Sequence, residues 1–170
     1  MMLAASAFAA PGGGGGGGGP ADPPACSILN DLLNVPVLSC SGLTGGNFVK
    51  ESPDTNAAAM LAMIGLVSNG QATAVATVTD VTKLVFDMPL YGVSWIGLHI
   101  GGGSDGNVKQ STAFYQIDAG TQGVTTIETR FTSLSNGGLY FTSPVPEPAT
   151  YGMLLTGVGL LGLALRRRVS

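Results

Sequence analysis

Hydrophobic and polar residues alternate through most of the second half of the chain, a pattern typical of β-strands that bury one face. Ala72–Thr79 begins this region and is rich in valine and threonine. Further candidate strands, separated by turn-forming Gly, Pro, Asn and Asp residues, are Val81–Asp87, Val93–Ile100, Thr112–Asp118, Val124–Phe131 and Gly138–Thr142. About six short strands at this spacing predict a mainly β fold, an antiparallel β-sandwich, rather than an α/β fold.

Two segments ahead of these strands carry helix signals. Ser52-Pro53-Asp54 offers a capping hydroxyl, a proline suited to a first turn and an acid that favours the helix dipole. The helix that starts there is predicted to run to Asn69-Gly70. A second short helix is predicted over Ser27–Asn34, with Ser27 as its N-cap. We call residues 26–143, which hold all these elements, the β domain; they are numerous enough to bury a core.

The C-terminal end has a different character. Ala149–Leu165 is a run of 17 uncharged residues, and Arg166, Arg167 and Arg168 follow it directly. As a helix this run would span about 25 Å, the short end of what crosses a bilayer. It is apolar on all faces, which favours a transmembrane helix over the alternative of a buried C-terminal core helix. The arginines would then lie on the cytoplasmic side and fix the orientation.

Val145-Pro146-Glu147-Pro148 stands directly before that run. Prolines on both sides of Glu147 keep the backbone extended. An extended Pro-Glu-Pro, an apolar run and a terminal arginine cluster together resemble the PEP-CTERM sorting proteins of Gram-negative bacteria. The resemblance implies that Val145–Pro148 form a sorting motif, with Pro146, Glu147 and Pro148 as its recognition residues. It also implies that residues 145–170 are a sorting segment processed by exosortase, a membrane enzyme similar to a cysteine transpeptidase.

An exosortase client must be exported, and the N-terminus bears on that requirement. Met1–Ala10 contains Ala7-Phe8-Ala9, which fits a signal-peptide cleavage site, but no basic residue precedes it. Two interpretations stay open: residues 1–10 are the remnant of a signal peptide whose start lies upstream, or they are a disordered terminus. Residues 11–25, which include the eight glycines of Gly12–Gly19, are predicted to be a flexible linker.

The chain has two cysteines, Cys26 and Cys40. In an exported protein an even count at this close spacing suggests one disulfide. With a single histidine and no CxxC, a structural zinc site is not expected.

The low charge content and the negative net charge argue against nucleic-acid binding. Only 10% of the residues are charged and the net charge is −3, so the basic surface that nucleic-acid binding needs is missing. Without the three terminal arginines, 4 basic residues face 10 acidic ones, a net charge of −6. The net charge of −3 is therefore the sum of an acidic part, predicted to be exported, and a basic C-terminal end.

Candidate chemistry in the β domain is sparse. Gly101, Gly103 and Gly106 fit a dinucleotide-binding pattern, but a strand rather than the required helix follows them. Asp105 favours a turn over a calcium site, and His99, in an apolar strand, favours a structural role. The scattered acids Asp87, Asp105, Asp118 and Glu128 show no spacing that selects a catalytic pair. We therefore expect no cofactor, no metal and no enzymatic activity.

Four aromatic residues form a possible sugar-stacking surface: Tyr91, Trp95, Tyr115 and Tyr140. The β domain is also similar to the body common in PEP-CTERM proteins, through Cys40-Ser-Gly, Gly46-Asn47, the Trp95–Leu98 strand and the Ala113–Asp118 strand. That resemblance implies a lectin-like sandwich of the jelly-roll type. The sequence thus predicts an exported, non-enzymatic surface or matrix protein whose partners are exosortase, the lipid bilayer through residues 149–165, and exopolysaccharide in a biofilm. The alternatives are a carbohydrate-binding module and a secreted hydrolase.

Overall fold

The computed structural model describes residues 25–102 and 108–144, together with Thr156. Within residues 25–144 the described elements are β1 (Val37–Gly45), α1 (Thr55–Met63), β2 (Ala74–Asp80), β3 (Lys83–Leu90), β4 (Val93–Ile100), β5 (Ser111–Asp118), β6 (Val124–Glu128) and β7 (Leu134–Thr142). The predicted mainly β fold is confirmed. β1 is a strand that the hydrophobic pattern did not predict.

The strands form one seven-stranded antiparallel sheet in the order β1-β5-β4-β7-β2-β3-β6. β2 is where the sheet bends, because its first residues pair with β7 and its later residues pair with β3. Beyond the bend the sheet folds over the central strands, and Leu84 of β3 packs against Gly137 of β7. The two separate sheets of the predicted sandwich are thus replaced by one curled sheet, since hydrogen bonding continues through β2.

Residues 26–36, which we call the closing segment, close the curl between its two edges. Leu32 forms an isolated antiparallel bridge with Thr129, directly after β6, and the Leu33 amide donates to the Glu128 carbonyl at 2.8 Å. The chain then passes Pro36 into β1 at the opposite edge. The helix predicted over Ser27–Asn34 is therefore wrong, because the backbone of this segment is engaged with β6. The same contact protects the β6 edge from pairing with another chain.

Both faces of the central strands are buried. The inner face supplies the main core, which includes Leu84, Ile96, Leu98, Tyr115 and Leu139. On the outer face α1 packs over β5 and β7, and Leu61 of the helix joins Phe114 and Tyr140 in a second apolar cluster. A Cβ at Gly97 of β4 would lie 2.8 Å from the Phe114 ring, so a larger residue there would displace that ring. The β domain therefore has a layer order of helix, sheet, core and folded-over strands.

The helix is shorter than predicted and begins later. Its N-cap is Asp54 rather than Ser52, and the Asp54 carboxylate accepts hydrogen bonds from the amides of Asn56 and Ala57. Lys50 Nζ lies 2.9 Å from the same carboxylate. The helix stops at Met63 because Gly65 adopts a φ of +87°, a conformation that ends helices, well before the predicted Asn69-Gly70.

Acid should weaken the helix start, through Asp54. The Lys50 ammonium group and two amide donors hold the pKa of the Asp54 carboxyl below its ordinary value, against the opposing effect of burial. A carboxyl whose pKa is lowered by folding stabilises the protein above its unfolded pKa, and the effect is lost as pH falls through the folded pKa. Denaturation of the wild type should show this loss below about pH 4.

Asp54→Asn is the matched variant, since asparagine keeps the cap but cannot be protonated. It should reduce the loss of stability in acid, whereas Asp54→Ala should lower the unfolding free energy by about 1 kcal/mol already at neutral pH. An acid limb of the same size in Asp54→Asn would contradict this assignment.

In the described part of the chain, no helix is long and apolar enough to cross a membrane. The predicted transmembrane run, 149–165, lies outside the described residues apart from Thr156.

Candidate functional site

The C-terminal end of β7 is the point where the chain leaves the β domain. The Ser143 amide donates to the Tyr91 carbonyl at 3.2 Å, and the Ser143 hydroxyl donates to the Val93 carbonyl at 3.0 Å. Thr142 Oγ1 accepts the Tyr91 amide at 2.8 Å. These bonds hold the chain to the sheet as far as Ser143, and Pro144 is already exposed. We call this end of the molecule, where β7 ends beside the start of β4, the exit end.

The predicted sorting residues follow the exit end and lie outside the described residues, namely Val145, Pro146, Glu147, Pro148, Arg166, Arg167 and Arg168. A family model, the PEP-CTERM protein-sorting motif, matches residues 144–168. The chain carries a PEP-CTERM sorting motif. Its match begins one residue after Ser143, so the sorting motif starts where the last described contacts with the sheet end. No curated protein and no solved structure matches the chain.

A PEP-CTERM motif supports an exported protein that is targeted to exosortase and is transiently anchored in the membrane. The cysteines agree with export, because Cys26 and Cys40 form a disulfide, and such bonds persist in oxidising compartments. The predicted bond is thus confirmed. It attaches the start of the closing segment to the middle of β1.

Two of the four predicted sugar-stacking residues are buried. Tyr115 has no exposed surface and lies on the inner face of the sheet, where its hydroxyl donates to Asp31 at 2.8 Å. Tyr140 is 4% exposed, lies beneath α1 and donates to the Phe48 carbonyl at 3.3 Å. Burial raises the pKa of both phenols, and the Asp31 carboxylate raises that of Tyr115 further. Neither ring can stack on a sugar in this structure, because both faces are covered.

The other two residues are partly exposed near the exit end. Tyr91 follows β3 and contacts Ser143 through its carbonyl. Trp95 lies on the outer face of β4, its indole N–H donates to the Ile64 carbonyl at 2.9 Å, and its ring meets Phe141 edge-to-face at a centroid distance of 5.5 Å. The structure therefore does not bring the four predicted residues together, and it adds Phe141, which is 43% exposed.

Phe141 was missed because a bulge breaks the alternation of β7. Trp95 pairs with Phe141 and the next residue, Ile96, pairs with Leu139, which leaves Tyr140 as the extra residue. Bulges of this kind turn neighbouring side chains to one face. Tyr140 and Phe141 both reach the outer face, where Tyr140 is covered by α1 and Phe141 is not. The sequence signal that could have identified Phe141 is its position beside Tyr140, as a pair of aromatic residues shortly before the sorting motif.

A buried polar cluster lies at the inner end of the closing segment. Asp31 is fully buried, and its carboxylate accepts from the Ser27 amide at 2.6 Å, from the Tyr115 hydroxyl and from Arg130 Nε at 2.7 Å. Arg130 is half exposed, and its guanidinium carbon lies 4.6 Å from the centre of the Phe131 ring. Because every group in the cluster has a partner, it holds the closing segment to β5 and to the chain after β6.

His99 belongs to β4 and is buried beside β5. Its Nδ1 lies 3.0 Å from the Ser111 carbonyl, which fits the predicted structural role. Desolvation lowers the pKa of the imidazole, although hydrogen bonds to the backbone of Ser111 and Gly46 oppose the shift. The side chain is therefore engaged within the sheet through its contacts with Ser111 and Thr112.

The predicted acids are dispersed. Glu128 forms a surface ion pair with Lys83 at 3.1 Å, Asp118 accepts the Gly120 amide, and Asp87 is exposed on β3. Asp105, Gly103 and Gly106 lie outside the described residues. Among the residues that are described, no three His, Cys, Asp or Glu side chains come close enough to hold a metal ion.

Proposed function

We propose that the chain is an exported client of exosortase, made of a β domain that functions outside the inner membrane and a C-terminal tail that is cut near Pro146-Glu147-Pro148. The observation that carries this proposal is the sorting motif at residues 144–168, placed directly after the last strand of the sheet. Residues 149–165 cross the inner membrane, and Arg166–Arg168 keep the C-terminus in the cytoplasm. The disulfide supports an oxidising destination.

Glu147→Ala tests the recognition of the motif. We expect the variant to stay in the inner membrane with an uncleaved C-terminus, because the acid between two prolines is the distinctive element of the motif. Membrane fractionation in a host that contains exosortase, followed by the intact mass of the protein, measures both retention and cleavage. The matched control is Glu51→Ala, which removes an exposed carboxylate from the β domain. Release and cleavage of the Glu147 variant at the wild-type level would refute the sorting role.

Arg166, Arg167 and Arg168 are predicted to set the orientation. Changing all three to Asn should lower the fraction of chains whose C-terminus is cytoplasmic, since basic residues next to a span favour that side. Protease access to a C-terminal tag in spheroplasts measures the orientation. The control changes Lys50, Lys83 and Lys109 to Asn, which removes the same charge from the surface of the β domain. An unchanged orientation in the arginine variant would argue against their role.

Outside the cell we propose a non-enzymatic surface or matrix role for the β domain. Support comes from the use of its acidic residues for structure: Asp31 holds the closing segment, Asp54 caps α1 and Glu128 pairs with Lys83. Association with exopolysaccharide is part of this proposal. Binding of the purified chain to a polysaccharide from its own host, followed by Trp95 fluorescence, is the test that separates a carbohydrate-binding module from a purely structural protein.

A further inference from the structure

The exit end carries an exposed apolar surface on the outer face of the sheet, beyond the end of α1. Its centre is the edge-to-face pair of Trp95 and Phe141. The Trp95 indole is bonded to the Ile64 carbonyl, at the point where α1 has ended. Met63 and Val67, on either side of that point, are 77% and 95% exposed. We call Trp95, Phe141, Met63 and Val67 the exit patch; all four are uncharged.

We propose that the exit patch contacts the lipid bilayer while the chain is anchored, so that the β domain rests on the membrane surface beside its own tail. This inference rests on the proposed function, because it needs residues 149–165 in the membrane. Its other support is the position of the patch. Phe141 precedes Pro144 by three residues and occupies the same strand that leads into the sorting motif.

The linking chain is too short to hold the patch far from the bilayer. Four residues separate Pro144 from Ala149, and the five steps between these two residues, even fully extended, would reach only about 18 Å. The headgroup region adds about 5–7 Å on each side of the hydrocarbon core, so it takes up part of that reach. A domain on so short a tether touches the interface whenever it tilts toward its outer face.

The chemistry of the patch fits an uncharged interface. Tryptophan is enriched at the level of the lipid headgroups, where its ring is apolar and its N–H is polar. The exit end offers no lysine or arginine among its described residues, and it includes the exposed acid Asp118. Anionic lipid should therefore not strengthen the contact, in contrast to membrane attachment through basic residues.

Trp95 is the single tryptophan of the chain, so intrinsic fluorescence reports on the patch without a label. The full chain is reconstituted in phosphatidylcholine vesicles, with and without bromine on the acyl chains near the headgroups. We expect the chain to float with the vesicles and the Trp95 emission to fall in brominated lipid. Phe141→Ser should reduce that quenching. Val81→Ser, which changes a similarly exposed apolar residue outside the patch, should leave it unchanged.

The outcomes separate the inference from the function on which it rests. Flotation without quenching leaves the anchor intact and overturns the membrane contact. Failure to float overturns both. If the quenching is the same in Phe141→Ser and in the wild type, the lipid reaches Trp95 without any contribution from Phe141, so the four residues do not act as one surface and the inference fails. If a soluble polysaccharide or self-association shields Trp95 in the vesicles and abolishes quenching, the patch belongs to that partner instead.

Discussion

Replacing Asp31 by alanine should lower the free energy of unfolding of the β domain by about 4 kcal/mol. The change leaves two donors without an acceptor, the fully buried Tyr115 hydroxyl and the Ser27 amide. An orphaned buried group costs about 1–3 kcal/mol, and the lower end applies to the Ser27 amide because Ser27 is only partly buried. Arg130 adds little, because its side chain is 44% exposed and can turn to water. Urea denaturation followed by Trp95 fluorescence measures the loss.

A double-mutant cycle with Tyr115→Phe identifies the cause. In the wild type, Tyr115→Phe removes a hydrogen bond to a charged group and should cost about 2 kcal/mol. In the Asp31→Ala background the same change removes an orphaned hydroxyl and should be neutral or stabilising. Equal effects of Tyr115→Phe in both backgrounds would show that the two groups do not stabilise the domain through each other. Arg130→Gln, which tests the exposed side of the cluster, should cost less than 1 kcal/mol.

The contacts of the Asp31 cluster could not be predicted from the sequence. Tyr115 and Arg130 are 84 and 99 residues from Asp31 along the chain, so no local pattern joins them. The helix predicted over Ser27–Asn34 rested on Ser27 as its N-cap, and Asp31 lay within it. In the structure that acid is the point at which one edge of the sheet is fastened to the other. The contacts of Asp31 with residues far along the chain therefore decide the conformation of this segment, and the local helix signal does not.

The strands from β2 to β7 could be predicted because each is a short run rich in β-branched, aromatic or alternating apolar residues that lies between turn-forming residues. β1 could not, for reasons visible in its residues. It contains Ser, Gly and Thr in place of a regular apolar series, and its pairing with β5 is interrupted at two places. Gly42 and Leu43 both adopt positive φ there. An irregular strand of small residues carries no periodic signal, although its partners hold it in place.

The tail and the domain differ in how much the sequence alone could say. Pro146-Glu147-Pro148, the uncharged run and the arginines are contiguous in the sequence, so they could be named directly, and the family model matches residues 144–168. The aromatic surface depends on which face each ring occupies. The bulge at Tyr140 and the helix over it decided that, and they left Trp95 and Phe141 as the accessible pair.

Replacing both cysteines by serine, Cys26→Ser with Cys40→Ser, should cause the second-largest loss of stability. The bond joins residues 14 apart in sequence, and cross-linking so short a loop contributes about 3 kcal/mol, mainly by restricting the unfolded chain. For a domain of this size the melting temperature should fall by about 10 °C. Thermal unfolding with and without a reductant checks the value: reductant should lower the wild type to the level of the double variant and leave that variant unchanged.

The loss should also have a definite location, because the disulfide attaches the closing segment to β1. Without it, that segment is held to the edge of β6 by noncovalent contacts alone, among them the hydrogen bonds of Asp31 and Leu33 and the bridge at Leu32. Hydrogen exchange should then accelerate most at the amides of Leu33 and Arg130, which bond across that edge, and least at β4 and β5 in the centre of the sheet. A uniform acceleration over all strands would mean that the bond stabilises the whole domain and not the closure; equal protection in both forms would mean that Asp31 and Leu32 hold the segment unaided.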